Sequence, residues 1–318
     1  MKFYTSVLPY HGKLLVRGVK ADGNPCSYRV NYDPSLFIPV QKESKYKTLD
    51  GRNLDRVKFG SIVEAKKWIQ EYQGVTNFEY FGNTRYQYPY IADTFPDKID
   101  WDIKQIKILT IDIECESENG FPDPGLANEP LISITVRDNI TKRILVFGMG
   151  NFVNDRPDVH YKKCATERDM VAKFAEFWTQ YNPDVVTGWN VKFFDIPYLM
   201  NRFKNLMGEE YISQFSPWGI VNEGTALGLG YNRQEKYFDL LGIATLDYLD
   251  LYKKFTYTDQ ESFTLDNIAF VELGTKKDPN PYDTFKEWYT KDYQSFIDYN
   301  IKDVELVDAL ENHLGMIQ

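Results

Sequence analysis

Four carboxylates in three separated segments constrain this chain more than any other feature. Asp112 and Glu114 flank Ile113 at the end of the run IKILTIDIE, Asp195 stands in TGWNVKFFDIPYLMNR, and Asp303 follows Tyr299 in YNIKDVELV. A fold that brings these side chains together holds what a pair of divalent cations needs. Two such ions, about 3.5–4 Å apart, can activate a water and stabilise the leaving oxygen of a phosphodiester. Hard oxygen ligands suit Mg²⁺ or Mn²⁺.

Each motif alone also has a plainer reading. Asp112 and Glu114 are two apart on an expected strand and share one face, while Ile111, Ile113 and Cys115 share the other. Side by side they repel unless cations sit between them, yet a strand running out to a solvated acidic edge looks the same. Asp195 precedes Ile196-Pro197. Pro197 suits a first helical turn, so Asp195 can be a metal ligand or merely an N-cap. Tyr299 and Asp303 are i and i+4 on one helix face. There the hydroxyl can orient an attacking water, or the tyrosine can simply lie on the surface of an acidic helix. It is the three motifs in this order that speak for a shared site.

Composition narrows the class. The 318 residues, 43% hydrophobic and 26% charged, are ordinary for one or two globular domains with a core that needs no disulfides. The net charge of −9 argues against a general nucleic-acid coat. It is uneven: residues 1–100 carry a net +4 and residues 101–318 a net −13. The acidic part contains the candidate metal site, where bound cations offset charge. Aromatics reach 16%, with 23 tyrosines; some can stack on bases, the rest belong to a core. Cys26, Cys115 and Cys164 give neither a disulfide framework nor zinc spacing, so a reducing cytoplasm is expected. No signal peptide and no membrane-spanning apolar run is seen.

Along the chain, KFYTSVLPY, KLLVRGVK and SYRVNY read as β structure with turns. Residues 61–72 read as a helix with Ser61 as N-cap and Glu64 closing a capping box. Short aromatic strands are expected around Asn77–Phe81 and Tyr86–Ile91, with a linker at 93–102. Further strands are expected at 106–113, 131–136, 143–147 and 184–186. Expected helices are 166–181 with Thr166 as N-cap, then 195–207, 246–255, 263–272, 291–300 and 303–313. Strands first, then alternation with helices, indicate an α/β domain around a mixed sheet.

The combination resembles the N-terminal and 3′→5′ exonuclease region of family B DNA polymerases, especially those of T-even-like bacteriophages. Its three exonuclease motifs stand here as Asp112-Ile113-Glu114, Asn190 with Phe194-Asp195, and Tyr299 with Asp303. Similar text extends to KESKYKTLDG at 42–51, FPDP at 121–124, TGWN at 187–190, LDYLDLYKKF at 246–255 and SFTL at 262–265. The resemblance implies a β-rich α+β domain at about 1–104 and a ribonuclease-H-like exonuclease domain at about 105–318. It implies two divalent metals, Mg²⁺ or Mn²⁺. Asp112, Glu114 and Asp303 would hold the metal on the nucleophile side. Asp112 and, directly or through water, Asp195 would hold the other. Tyr299 would position the water. Phe121, Asn190 and Phe194 are the expected substrate contacts, with Phe121 stacking on terminal bases or else plugging its own turn. Residues 227–241 fall where relatives carry a β-hairpin that parts primer from template. His11, His160 and His313 have no role in this scheme.

The expected partner is single-stranded DNA or a primer 3′ end, in a host cytoplasm where the chain is phage-encoded. Polymerase signatures are absent before Gln318. The chain is therefore expected either to pair with a second chain carrying the polymerase domain or to have been cut at that point. Two other readings share these residues. One is an RNA-trimming exonuclease, distinguished only by contacts at the 2′ position. The other is a docking subunit of a split polymerase with hydrolysis secondary, against which the intact carboxylates argue.

Overall fold

A computed structural model describes residues 1–118, 120–227, 234–277 and 279–317. The chain divides into two compact units, Met1–Asp102 and Ile103–Gln318.

The first unit is β-rich. Strands β1 (Phe3–Tyr10), β2 (Lys13–Val19) and β3 (Pro25–Val30) form an antiparallel meander, and β4 (Ser35–Pro39), β6 (Asn53–Lys58) and β5 (Tyr46–Lys47) a second sheet in the order β4-β6-β5. The β1–β2 turn is His11-Gly12, both with positive φ, the backbone twist that two-residue hairpins require. Helix α1 (Ile62–Tyr72) is capped by Ser61, whose hydroxyl accepts from the Glu64 N–H at 3.1 Å. The reciprocal bond differs from the expected box: Glu64 reaches back to the Gly60 N–H at 2.8 Å.

The aromatic run that follows is not a pair of strands. Residues 87–94 form helix α2 (Gln87–Thr94). Pro89 lies in its first turn, where a missing N–H costs nothing. Tyr86 and Tyr90, four apart, pack on the core of Leu14, Val16, Leu36 and Ile62. Around Asn77–Phe81 only the bridge Phe37–Phe81 forms. Asn77 has φ 64°, which interrupts extension, and Phe78 stacks on Tyr72 at 4.4 Å instead.

The second unit is built on a six-stranded sheet in the order β10-β9-β8-β7-β11-β14. Its strands are β7 (Ile108–Cys115), β8 (Leu131–Asp138), β9 (Ile144–Gly148), β10 (Val159–Lys163), β11 (Val185–Gly188) and β14 (Ala244–Asp247). Strands β7, β8 and β9 pair antiparallel, whereas β11 joins β7 in parallel and β14 joins β11 in parallel. Helices α3 (Glu167–Tyr181) and α4 (Asp195–Met207) cover one face through Met170, Phe174, Trp178, Leu199 and Phe203 against Ile111, Ile113 and Ile134. The long helix α8 (Tyr293–Leu314) covers the other, with Phe296, Ile297 and Val304 against Ile132, Ile144 and Val146. An antiparallel triplet extended by parallel strands, with helices on both faces, is a ribonuclease-H-like α/β arrangement. The expected fold class holds for both units.

Several local expectations need correction. The helices expected at 291–300 and 303–313 are one, α8, because nothing between Asn300 and Asp303 breaks a helix. It ends at Gly315, which has φ 61°. Helix α7 (Phe285–Lys291) was not expected, although Thr284 caps it by accepting from the Glu287 N–H at 3.1 Å. Between α4 and α7 in sequence lie α5 (Tyr248–Phe255) and α6 (Leu265–Leu273). Strands β12 (Val221–Leu227) and β13 (Gln234–Leu240) form an antiparallel hairpin. The run 227–241 thus covers its second strand, while residues 228–233 lie outside the described residues. Among the described residues, no helix is long and apolar enough to cross a membrane.

Candidate active site

Strand register sets the site. Asp112 pairs with Thr135 and Glu114 with Ser133. On β7 the alternating Ile111 and Ile113 are buried against the α3/α4 side. That parity turns Asp112 and Glu114 toward α8, which brings Asp303 from its interior. Carboxylate oxygens of Asp112, Glu114 and Asp303 all lie within 4.8 Å of one another. Tyr299 is one turn before Asp303 on the same helix and packs its ring on Trp288 at 5.0 Å.

Asp195 is handled differently from the N-cap reading. The N-cap of α4 is Phe194, with no side-chain cap, and Asp195 is the first helical residue. Its buried carboxylate instead accepts from the Ile113 N–H at 3.1 Å. This oxygen serves β7 beyond the stretch, Ile108 to Thr110, that β11 pairs. Asp195 is not a member of the three-carboxylate group within 4.8 Å. It borders that group, sharing the strand segment between Asp112 and Glu114.

Among the described residues, a lysine accompanies these acids. Lys277, between α6 and α7, places Nζ 2.6 Å from Asp303 Oδ1. It also donates to the Tyr299 hydroxyl at 3.3 Å and lies 4.8 Å over that ring. Apart from the Lys277 ion pair, Asp303 Oδ1 is buried without a hydrogen bond. Asn300, fully buried, donates from Nδ2 to Asp112 Oδ2 at 2.6 Å.

The charge balance is poor. Burial, then repulsion from Asp303, pushes Glu114 up to about 8. Burial dominates for Asp195 as well, up to about 8, with Asp247 and Asp303 adding to it. Asp112 is raised by burial, then by Asp303, Asp195 and Glu114. Asp303 is raised by burial although Lys277 opposes it. Burial would lower Lys277, but Asp303 and then Tyr299 outweigh that and hold its ammonium above the usual range. Tyr299 is pushed up to about 12 by burial and then by Asp303. Hard oxygen donors that converge, repel one another and include an orphaned buried atom fit divalent cations.

A cleft of about 580 Å³ is lined by Phe121, Asn190, Lys236, and Phe194 and Pro197 on either side of Asp195 in sequence. Phe121 is 84% exposed, so it plugs nothing; its ring sits 5.2 Å from that of Phe194. Its loop is clamped from α4. Tyr198 donates to the Glu129 carbonyl at 2.6 Å, Asn201 to Pro124 at 2.8 Å and Asn205 to Leu126 at 3.0 Å. On the other side Tyr289 donates to Glu116 at 2.9 Å and Lys286 pairs with Glu118. Asn190 adopts φ 64°. Its N–H and that of Lys192 donate to the buried Asp247 at 3.1 and 2.9 Å.

Sequence reasoning missed Lys277, Asn300 and Asp247. Lys277 stands in a Lys-Lys-Asp run that reads as solvated surface. Asn300 had a signal, since it is i−3 from Asp303 and so shares its helix face. Asp247 had one too, as the N-cap of α5.

Carboxylates gathered beneath a mixed sheet, next to an open aromatic cleft, define a metal-dependent nuclease type of site. The chain belongs to the family described as DNA polymerase family B, exonuclease domain, whose model matches residues 73–268. That span holds Asp112, Glu114 and Asp195; Tyr299 and Asp303 lie beyond it. Such domains are 3′→5′ exonucleases, hydrolases that use divalent metals. The chain is 33% identical over 342 aligned positions to the DNA-directed DNA polymerase of Enterobacteria phage T4, covering 99% of this chain and 37% of that protein. It is 31% identical to the DNA-directed DNA polymerase of Escherichia phage RB69, over 95% of this chain and 36% of that one. The DNA polymerase delta catalytic subunit of Caenorhabditis elegans is 27% identical, over 68% of this chain and 21% of that protein. The chain thus spans little more than a third of the phage relatives' length.

Proposed function

We propose that this chain removes nucleotides from single-stranded or frayed DNA 3′ ends, as the proofreading exonuclease part of a phage-type replicative DNA polymerase. In this reading residues 1–104 are that polymerase's N-terminal domain and 105–318 its exonuclease domain, working beside a polymerase region on the same or a second chain. The observation that carries it is the convergence of Asp112, Glu114 and Asp303 within 4.8 Å in a member of this family. The relatives' names as DNA polymerases support DNA as the substrate.

Asp112, Glu114 and Asp303 would hold one divalent cation, and Asp112 with Asp195 a second. When bound, such a pair supplies Lewis-acid stabilisation of charge on the phosphodiester and a nucleophile at neutral pH. The protein's own groups do the positioning. Because Lys277 donates to the Tyr299 oxygen, the phenol keeps its proton free to hold the attacking water. The raised phenol pKa keeps that proton in place at neutral pH. Phe121 and Phe194 offer the aromatic surface on which unstacked terminal bases lie, which sequence-independent recognition needs.

The test uses the full chain with a 5′-labelled oligonucleotide as single-stranded DNA, as paired duplex and as RNA. With Mg²⁺ or Mn²⁺ the single-stranded DNA shortens stepwise from its 3′ end, fastest of the three, and excess chelator stops it. Undiminished cleavage in chelator would overturn the metal assignment. RNA consumed faster than DNA would transfer the site to RNA trimming.

A further inference from the structure

Asn300 makes three hydrogen bonds with one carboxamide, and their directions are consistent only one way round. Ser133 Oγ donates to Asn300 Oδ1 at 2.9 Å, and the Thr135 hydroxyl donates to the same oxygen. Asn300 Nδ2 then donates to Asp112 Oδ2 at 2.6 Å. Ser133, Thr135 and Asn300 are fully buried, so water does not substitute for any of these bonds. The two hydroxyls belong to the β8 residues that pair with Glu114 and Asp112. The register that gathers the acids therefore also builds a cradle for one neutral amide above them. Turning the amide over would set Oδ1 against the Asp112 carboxylate, acceptor against acceptor once Asp112 is ionised as a metal ligand must be. Donors run from β8 through Asn300 to Asp112, and each bond polarises the next.

We propose that Asn300 is a positioning residue of this site: held by Ser133 and Thr135, it fixes the Asp112 carboxylate in the orientation that faces Glu114 and Asp303. The inference rests on the reading of Asp112 as a metal ligand. A carboxylate shared between cations must present its free oxygen in a set direction. A partner that occupies the other oxygen supplies that constraint without adding charge. Lys277 cannot replace it, since its ammonium is engaged by Asp303 and Tyr299.

The test compares wild type with Asn300→Leu, which keeps the bulk and removes the amide, and with Ser133→Ala/Thr135→Val, which leaves Asn300 in place without its anchors. Asp112→Ala is the control. Three quantities are read on the full chain: the thermal midpoint, Mn²⁺ binding by calorimetry, and cleavage of single-stranded DNA over a Mn²⁺ series. Loss of an outer hydrogen-bond partner to a ligand weakens metal binding by about 10–100-fold. Asn300→Leu should fall in that range, with cleavage recovering in part at high Mn²⁺. The double variant should show the same shift at about threefold, well below that range because the amide remains. A role in packing alone would lower the midpoint and leave metal affinity unchanged, and that outcome overturns the proposal. Should Asn300→Leu lack a cooperative transition, the double variant decides by the same affinity measurement, and an unchanged value overturns the proposal. If Asp112→Ala itself alters neither binding nor cleavage, the reading of the site fails rather than the role of Asn300.

Discussion

Two acidic groups touch strand β8 a few residues apart, and they are treated in opposite ways. Glu167, the first residue of α3, accepts from Arg202 Nε at 2.7 Å, from Arg202 Nη2 at 2.6 Å and from the Leu131 N–H at 2.7 Å. Its charge is matched by one guanidinium in a bidentate fork, and Arg202 uses its remaining nitrogen on the Ala127 and Asn128 carbonyls. Around Asp112, by contrast, Glu114, Asp195 and Asp303 crowd together with Lys277 as their cation. The first arrangement is complete in itself and holds the Phe121 loop to α4. The second gathers several acids around one lysine among the described residues, and burial and repulsion raise Glu114 and Asp195 to about 8 in the metal-free protein, as at functional sites where charge is tuned.

The largest effects should separate these two sets by what each loses. Asp112→Ala/Glu114→Ala should cut DNA hydrolysis by several orders of magnitude while folding survives, because mutual repulsion is relieved. Tyr299→Phe removes one orienting hydroxyl and no ligand, and should cost about 10–1000-fold in turnover. Single-turnover rates measure both, and equal losses would contradict the division of roles. Arg202→Met should do the reverse of the carboxylate pair. It leaves the partly buried Glu167 carboxylate without its partner, costing about 2 kcal/mol of stability in urea unfolding. A stable Arg202→Met protein would erase the contrast drawn above.

A smaller effect concerns pH in the metal-free protein. Glu114 and Asp195 are pushed up to about 8 when folded, against roughly 4 in an unfolded chain. Between those values the folded state binds more protons than the unfolded one, so stability falls as pH rises. The thermal midpoint in chelator should therefore drop from pH 5.5 to 8.5. Adding Mn²⁺ should remove the slope, since a bound cation favours the ionised form, and Asp112→Ala/Glu114→Ala should reduce it while Asp195, raised chiefly by burial and Asp247, keeps its share. Equal slopes in the two proteins would place the proton uptake outside this site.

The same contrast decides what could be read from sequence. Asp112, Glu114, Asp195, Tyr299 and Asp303 stood out because a motif fixes residue type at short spacing. Helix caps such as Ser61 and Thr166 were legible for the same local reason. Lys277 was not: its meaning lies in an ion pair to Asp303 that only the tertiary fold creates. Asn300 depends on the β7–β8 register, which no stretch of either strand reveals alone. Helix α2 was misread because tyrosines favour strands in general, and only packing on the first unit's core fixes the helical spacing. The single α8 was expected as two helices, 291–300 and 303–313, although Tyr299 and Asp303 at i and i+4 already place both parts on one helix face.

The smallest effect falls on the exposed side of the site. Phe121 is 84% exposed and touches Phe194 across the cleft, so Phe121→Ala removes almost no buried surface and should leave the thermal midpoint unchanged. Its loop stays clamped by Tyr198, Asn201 and Arg202 whatever stands at the tip. A base that stacks on an aromatic ring gains about 1–3 kcal/mol. With Phe194 still present, the lower end applies, a roughly fivefold rise in KM for single-stranded DNA with turnover nearly constant. That split is the informative part. A loss in turnover instead would mean that Phe121 acts on the geometry at Asp112 and Asp303, and the division between an exposed binding surface and a buried charged centre would have to be redrawn.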